Sequence, residues 1–174
     1  MDRHQWGTSY AQQTLLFRNL TGGRFERVGA APGSGLARAL TGRGLSVGDL
    51  DQDGLLDVVI NNMDSGPAVL RNITSRAGQW LSIRLVGDSL KKNSRDAIGA
   101  RIYVTAGKIQ QRKDVISGTS YASQNDLTLH FGLGSARRVD KIEIKWPDGS
   151  VQTVPATRLD RRITVMQNKG IVKD

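Results

Sequence analysis

One sequence feature limits the possible folds of this chain more than any other. It is a set of short stretches in which apolar and polar residues strictly alternate. Four of them lie in the second half, as LSIRL, RIYVT, LTLHF and KIEIKW. Successive side chains of a β-strand point to opposite faces, so each stretch would bury one face and leave the other in water. Turn-forming residues such as those of PDGS separate the stretches. Because no segment has a helical period, the sequence predicts an all-β fold.

The first half carries shorter strand patterns and an internal echo. Strands are predicted at residues 23–28, 43–50, 57–62 and 67–72. LLFRNLT (15–21) is repeated as AVLRNIT (68–74), with the two Asn residues 53 positions apart. That spacing is typical of one blade of a propeller-type array, although two unrelated strands could also end alike. At the far end we expect a last strand at 160–166 and a frayed tail at 168–170.

The charge distribution suggests where the chain divides. Residues 1–75 carry seven Arg against seven acids, whereas residues 76–174 carry eighteen basic residues against nine acids, which accounts for the net charge of +9. The shift predicts a propeller-blade-like β segment at 14–75 and a β-sandwich-like domain at 76–167. Cysteine is absent, which excludes disulfides and thiolate metal sites. No apolar run reaches the roughly 18–20 residues of a transmembrane segment.

An acidic loop, DLDQDGLLD, spans residues 49–57. Acids occupy its positions one, three, five and nine, and a glycine occupies position six, where it allows the chain to turn tightly. Calcium prefers about six to eight oxygen ligands, and alternating Asp residues in a tight turn can aim several at one point. The loop thus predicts a Ca²⁺ site whose ligands are Asp49, Asp51, Asp53, the backbone carbonyl of Leu55, and Asp57. Magnesium is less favoured, and a solvated acidic turn is the alternative.

These motifs resemble known families. RGLSVGDLDQDGLLDVVINN is similar to an FG-GAP or VCBS-type repeat, the blade unit of integrin-like β-propellers. WLSIRL, NSRDAIGAR, SYASQ, HFGLG and WPDGS follow in the order found in the ASPIC/UnbV domain, which typically lies C-terminal to such a propeller. The resemblance implies calcium binding in the blade loop and an extracellular or periplasmic location. It implies no catalytic residue.

A single blade departs from that architecture, because propellers have about four to eight blades. A blade cannot bury both faces alone. Either upstream blades are missing from this chain, or the blade packs against the second domain.

Other candidate residues have simpler interpretations. His130 is expected to be a solvated cross-strand histidine, since a Ser-His-Asp triad would need it to meet a serine by chance. Trp80 and Trp146 are expected in the core. A polar ligand site could form from Asn93, Arg95 and Asp96, although a loop held by internal hydrogen bonds is the more ordinary reading.

The sequence therefore predicts a calcium-binding, non-catalytic adhesion or binding module at the cell exterior, with a protein or glycan ligand. The basic second half would favour an acidic surface as a weak partner. A specific nucleic-acid partner is not expected, because aromatic residues are only 5% and the basic pairs are scattered. The alternative is a metal-dependent hydrolase or accessory biosynthetic enzyme that acts on a glycan or small molecule.

Overall fold

Strands are nearly the only regular secondary structure of the described residues, as predicted. The computed structural model of the protein describes residues 9–20, 22–63, 65–75, 78–91, 93–155 and 157–173. Within these ranges the only helical elements are two single 3₁₀ turns, Gly35–Ala37 and Ser89–Lys91. The strands are β1 (Gln12–Gln13), β2 (Leu16–Asn19), β3 (Phe25–Val28), β4 (Ala39–Leu40), β5 (Gly42–Gly48), β6 (Asp57–Asn62), β7 (Ala68–Leu70), β8 (Gln79–Val86), β9 (Arg101–Ala106), β10 (Ile109–Asp114), β11 (Leu129–Gly134), β12 (Lys141–Lys145), β13 (Val151–Val154), β14 (Arg161–Met166) and β15 (Gly170–Lys173). No helix in the described ranges is long and apolar enough to cross a membrane.

Two four-stranded sheets form the second half of the chain. One has the order β10-β9-β12-β13, and the other has the order β11-β8-β14-β15. Strands β8 and β14 run parallel, while the other pairs in these sheets are antiparallel. Both sheets contribute to a single apolar core, so this half is an open sandwich.

The alternating stretches supply that core. In β9 and β12, Ile102, Val104, Ile142 and Ile144 are fully buried, and the residues between them remain half-buried or exposed. Phe131 of β11, in the opposite sheet, packs into the same core. Burying one such side chain contributes about 1.5–3 kcal/mol, which explains why the strict alternation fixes the register of these strands.

The first half forms smaller sheets. Strands β5, β6 and β7 make a three-stranded antiparallel sheet, while β2 pairs with β3 and β1 with β4. Its buried cluster is small and consists of Leu40, Ile60 and Ala68. The propeller-blade interpretation and the domain boundary near residue 75 stay predictions.

The expected frayed tail at 168–170 is wrong. Residues 167–169 form a turn, in which Asn168 has a φ of 64° and the Lys169 N–H donates to the Met166 carbonyl at 3.1 Å. The chain then returns as β15, antiparallel to β14. Strands β10 and β13 were also not expected from the sequence.

A loop of the sandwich covers the open edge of β5. The Val47 N–H donates to Asn125 Oδ1 at 2.9 Å, and the Asp126 N–H donates to the Val47 carbonyl at 3.0 Å. Ser123 Oγ donates to the Leu45 carbonyl at 2.9 Å. An uncovered edge strand would expose a row of unpaired backbone groups. The two halves of the chain are therefore in contact along this edge, and the blade interpretation stays a prediction.

Candidate metal site

The acidic loop joins two hydrogen-bonded strands. Strand β5 ends at Gly48 and β6 begins at Asp57, and these two residues face each other in the antiparallel register. The ladder therefore places Asp49 and Asp57 at the same end of the sheet. Between them the chain turns sharply, with positive φ angles of 60° at Gln52 and 84° at Gly54.

Three carboxylates converge in this loop. One oxygen from each of Asp49, Asp51 and Asp57 lies within 4.8 Å of the other two. Two oxygens bound to one calcium ion at about 2.3–2.6 Å can be at most about 5 Å apart. The spacing is therefore compatible with a shared divalent cation.

Backbone N–H groups hold two of the carboxylates in place. Asp49 accepts hydrogen bonds from the N–H groups of Asp53 at 3.1 Å and Gly54 at 3.0 Å. Asp57, which is only 3% exposed, accepts from the N–H groups of Leu50 at 3.0 Å and Asn72 at 2.8 Å. Each carboxylate oxygen has a second lone pair, so these bonds orient the groups and leave capacity for a cation.

The other two predicted aspartates, Asp51 and Asp53, differ from Asp49 and Asp57 in their contacts. Asp51 is exposed, and its Oδ2 pairs with Arg71 Nη2 at 2.6 Å. Asp53 lies in the same loop but outside the group of three carboxylates, and its Oδ1 accepts the Leu55 N–H at 2.7 Å. The structure thus brings together three of the four predicted aspartates.

Gly54 packs directly against Trp80 of the sandwich. A Cβ added at Gly54 would lie 2.1 Å from Trp80 Cε2, so only glycine allows this approach. The indole is 7% exposed and stacks on His130, with 5.7 Å between ring centroids. Its backbone is also fixed, because Trp80 and Asp160 exchange two hydrogen bonds at 3.0 and 2.7 Å. The conformation of the acidic loop is therefore coupled to the sandwich.

His130 is half-buried, so the expectation of a solvated histidine is wrong. Burial lowers the pKa of its imidazole, the charge on Lys113 lowers it further, and Asp49 opposes both effects. Its Nδ1 lies 3.0 Å from the Oγ of Ser82, its cross-strand neighbour. Because Ser82 is only 3% exposed, this pair acts as a hydrogen bond between strands.

The residues Asn93, Arg95 and Asp96 have different surroundings and different partners. Asn93 is 4% exposed, and its Nδ2 donates to Gln167 Oε1 at 2.8 Å. Arg95 is exposed, and its backbone carbonyl accepts the Gly87 N–H at 3.1 Å. Asp96 is exposed at the surface and forms an ion pair with Arg84.

Gln167 is the central polar residue that the sequence did not reveal. It is 1% exposed and also accepts the Asp88 N–H at 2.9 Å, while its Nε2 donates to Asp148 Oδ2 at 3.0 Å. Hydrogen bonds from Ser150 hold the pKa of Asp148 below its usual range. This network ties together loops from three parts of the sandwich. No local sequence pattern predicts this network, because its residues are too far apart in the chain.

Comparison with known proteins shows what most of the second half resembles. Residues 89–172 match the family described as ASPIC and UnbV. These residues, just under half of the chain, are therefore similar to the ASPIC/UnbV domain. Cartilage acidic protein 1 from Xenopus tropicalis is 30% identical over 116 residues, which cover 64% of this chain and 17% of that protein. The mouse and human proteins of the same name are 30% identical over 124 residues, covering 69% of this chain and 18% of each protein. The chain thus spans less than a fifth of these relatives, and the FG-GAP interpretation of its first half stays a prediction.

Proposed function

We propose that this chain is a non-catalytic, calcium-ordered binding module that acts outside the cell. The observation that carries the proposal is the convergence of Asp49, Asp51 and Asp57, whose carboxylate oxygens lie within 4.8 Å of one another. An all-oxygen site built from protein ligands suits calcium better than magnesium, which is seldom held by protein ligands alone.

The electrostatics of the loop support a cation. Arg71 pairs with Asp51, and both side chains are substantially exposed, so this ion pair contributes little. A bound Ca²⁺ would relieve the repulsion among the three carboxylates. Because it binds only the folded loop, calcium at 100 times its Kd would add about 2.7 kcal/mol of stability.

The partner and the location are inferred from the domain and its relatives. The ASPIC/UnbV domain and the similarity to cartilage acidic protein 1 favour an extracellular or adhesion-type module. The net charge of +9 would attract an acidic protein or glycan. A glycan array probed in calcium tests this partner class: we expect binding to acidic glycans that weakens with added salt, and equal binding to neutral glycans would contradict it.

Two variants of one ion pair test the calcium site. Asp51→Asn removes a proposed ligand, whereas Arg71→Met breaks the same Asp51–Arg71 contact and leaves every carboxylate in place. Calorimetric titration with CaCl₂ should show at least tenfold weaker binding for Asp51→Asn. Arg71→Met should bind as tightly as the unaltered chain or more tightly, because a competing cation has been removed.

Either of two results would refute the proposed calcium site. If both variants bind calcium equally, Asp51 is not a ligand. If the unaltered chain gives no heat with CaCl₂, the loop is an acidic turn without a metal.

A further inference from the structure

A second candidate site lies where the two halves of the chain meet. We call it the junction cavity. It has a volume of about 340 Å³ and lies between the end of β5, the end of β10 and the segment 124–130. Its apolar walls include Val47, Leu56, Val115, Leu127 and Leu129. A concave, mainly apolar space of this size with a few polar groups is typical of small-molecule sites.

Lys113 supplies the positive charge of the junction cavity. It lines the cavity, and its Nζ lies 5.7 Å from the centroid of the Phe131 ring. No carboxylate in the described part of the chain forms an ion pair with it. Burial lowers the pKa of the Lys113 ammonium, because desolvation disfavours its charged form.

Of the two neighbouring acids, Asp114 is paired with arginines and Asp126 is exposed to solvent. Asp114 receives two hydrogen bonds from Arg112 at 2.8 and 2.7 Å and lies 3.7 Å from Arg101, and the bond from Arg112 is the main cause of its lowered pKa. Asp126 is exposed at the rim and accepts the Thr128 N–H at 2.9 Å.

The other polar groups that line the cavity add no positive charge. His130 favours its neutral form, because burial lowers its pKa. Gln124 and Asn125 are engaged in hydrogen bonds with the backbone. Lys113 is therefore the half-buried charged group that lines the cavity without an ion pair among the described residues, whereas the carboxylate of Asp126 is exposed to solvent.

We propose that the junction cavity binds a small ligand that has an apolar body and a single carboxylate, which pairs with Lys113. A carboxylate would form a charge-assisted hydrogen bond with the half-buried ammonium. The apolar walls favour an organic anion over sulfate or phosphate, because strongly hydrated ions lose more by leaving water. The ligand site contains none of the proposed calcium ligands and so does not depend on the calcium proposal.

Benzoate is a suitable probe, with benzamide as its uncharged analogue. NMR spectra of the labelled full chain, recorded in calcium and again in EDTA, would follow the Lys113 side chain. We expect saturable shifts with benzoate and at least tenfold weaker binding of benzamide. Lys113→Met should weaken benzoate binding at least tenfold, whereas Lys108→Met, at an exposed turn lysine, should leave it unchanged.

Equal binding of benzoate and benzamide to the unaltered chain would overturn the proposal, even if Lys113→Met fails to fold. Benzoate binding that survives Lys113→Met would overturn it as well. Charge-selective binding in EDTA would support the cavity even if the CaCl₂ titration is negative, so the two proposals can fail separately.

Discussion

The contact between Gly54 and Trp80 makes the coupling between the acidic loop and the sandwich measurable. In Gly54→Ala, the added methyl group would start 2.1 Å from Trp80 Cε2. Ordinary carbon–carbon contacts are about 3.5–4.0 Å, so the loop and the indole must separate by about 1.4 Å or more. Overpacking of this kind costs about 1–3 kcal/mol. A side chain at the left-handed φ of 84° costs about another 1–2 kcal/mol.

Gly149→Ala is a matched control for the backbone part of this cost. Gly149 has a φ of 85°, and nothing lies within 4 Å of the position its Cβ would take. The two variants therefore share the conformational strain and differ in the steric clash. Gly54→Ala should be less stable than Gly149→Ala by about 1–3 kcal/mol, or about 2–12 °C in Tm for a chain of this size.

Circular dichroism during thermal and urea unfolding measures this difference. Tryptophan emission should also shift to the red in Gly54→Ala, because the buried Trp80 becomes more exposed. Calcium affinity should fall too, since the Gly54 N–H donates to Asp49. Equal stability of the two variants, with unchanged emission, would show that the loop does not pack on Trp80.

The polar network of the sandwich gives two further predictions. Gln167→Leu leaves the Asn93 amide and the Asp88 N–H without their acceptor, so it should cost about 2–5 kcal/mol in urea unfolding, and a loss below about 0.5 kcal/mol would contradict this role. The pKa of Asp148 is held below its ordinary value of 3.8, so its stabilising effect is complete above that pH and is lost as the pH falls through the lowered pKa. The stability difference between the unaltered chain and Asp148→Ala should therefore shrink between pH 7 and about pH 2.5, and an equal difference at both would argue against it.

Strands with one buried face could be predicted, whereas edge strands could not. Strands β9 and β12 are central in their sheet, and their alternating buried residues leave a clear pattern in the sequence. Strand β10, with the sequence IQQRKD, lies at an edge and is largely exposed or half-buried. Strand β15 is also an edge strand. Edge strands like these form through backbone pairing with a neighbour, for which local hydrophobicity gives little signal.

The sites could likewise be predicted only where their residues lie close together in the sequence. The convergence of Asp49, Asp51 and Asp57 was predictable, because these residues lie within nine positions of one another in a single turn. The burial of Asn93 against Gln167 was not, because 74 positions separate them. In the sequence, a polar loop residue that binds a ligand cannot be distinguished from one that stabilises the fold. The contact of Gly54 with Trp80 is likewise a tertiary one.

The most direct measurement of the central claim is the electron density of a crystal of this chain soaked in CaCl₂. We predict one strong peak in the acidic loop, with oxygens of Asp49, Asp51 and Asp57 at about 2.3–2.6 Å from it. A matched crystal soaked in EDTA should lack the peak. Well-ordered density for the three carboxylates with no peak between them, at millimolar calcium, would contradict the account.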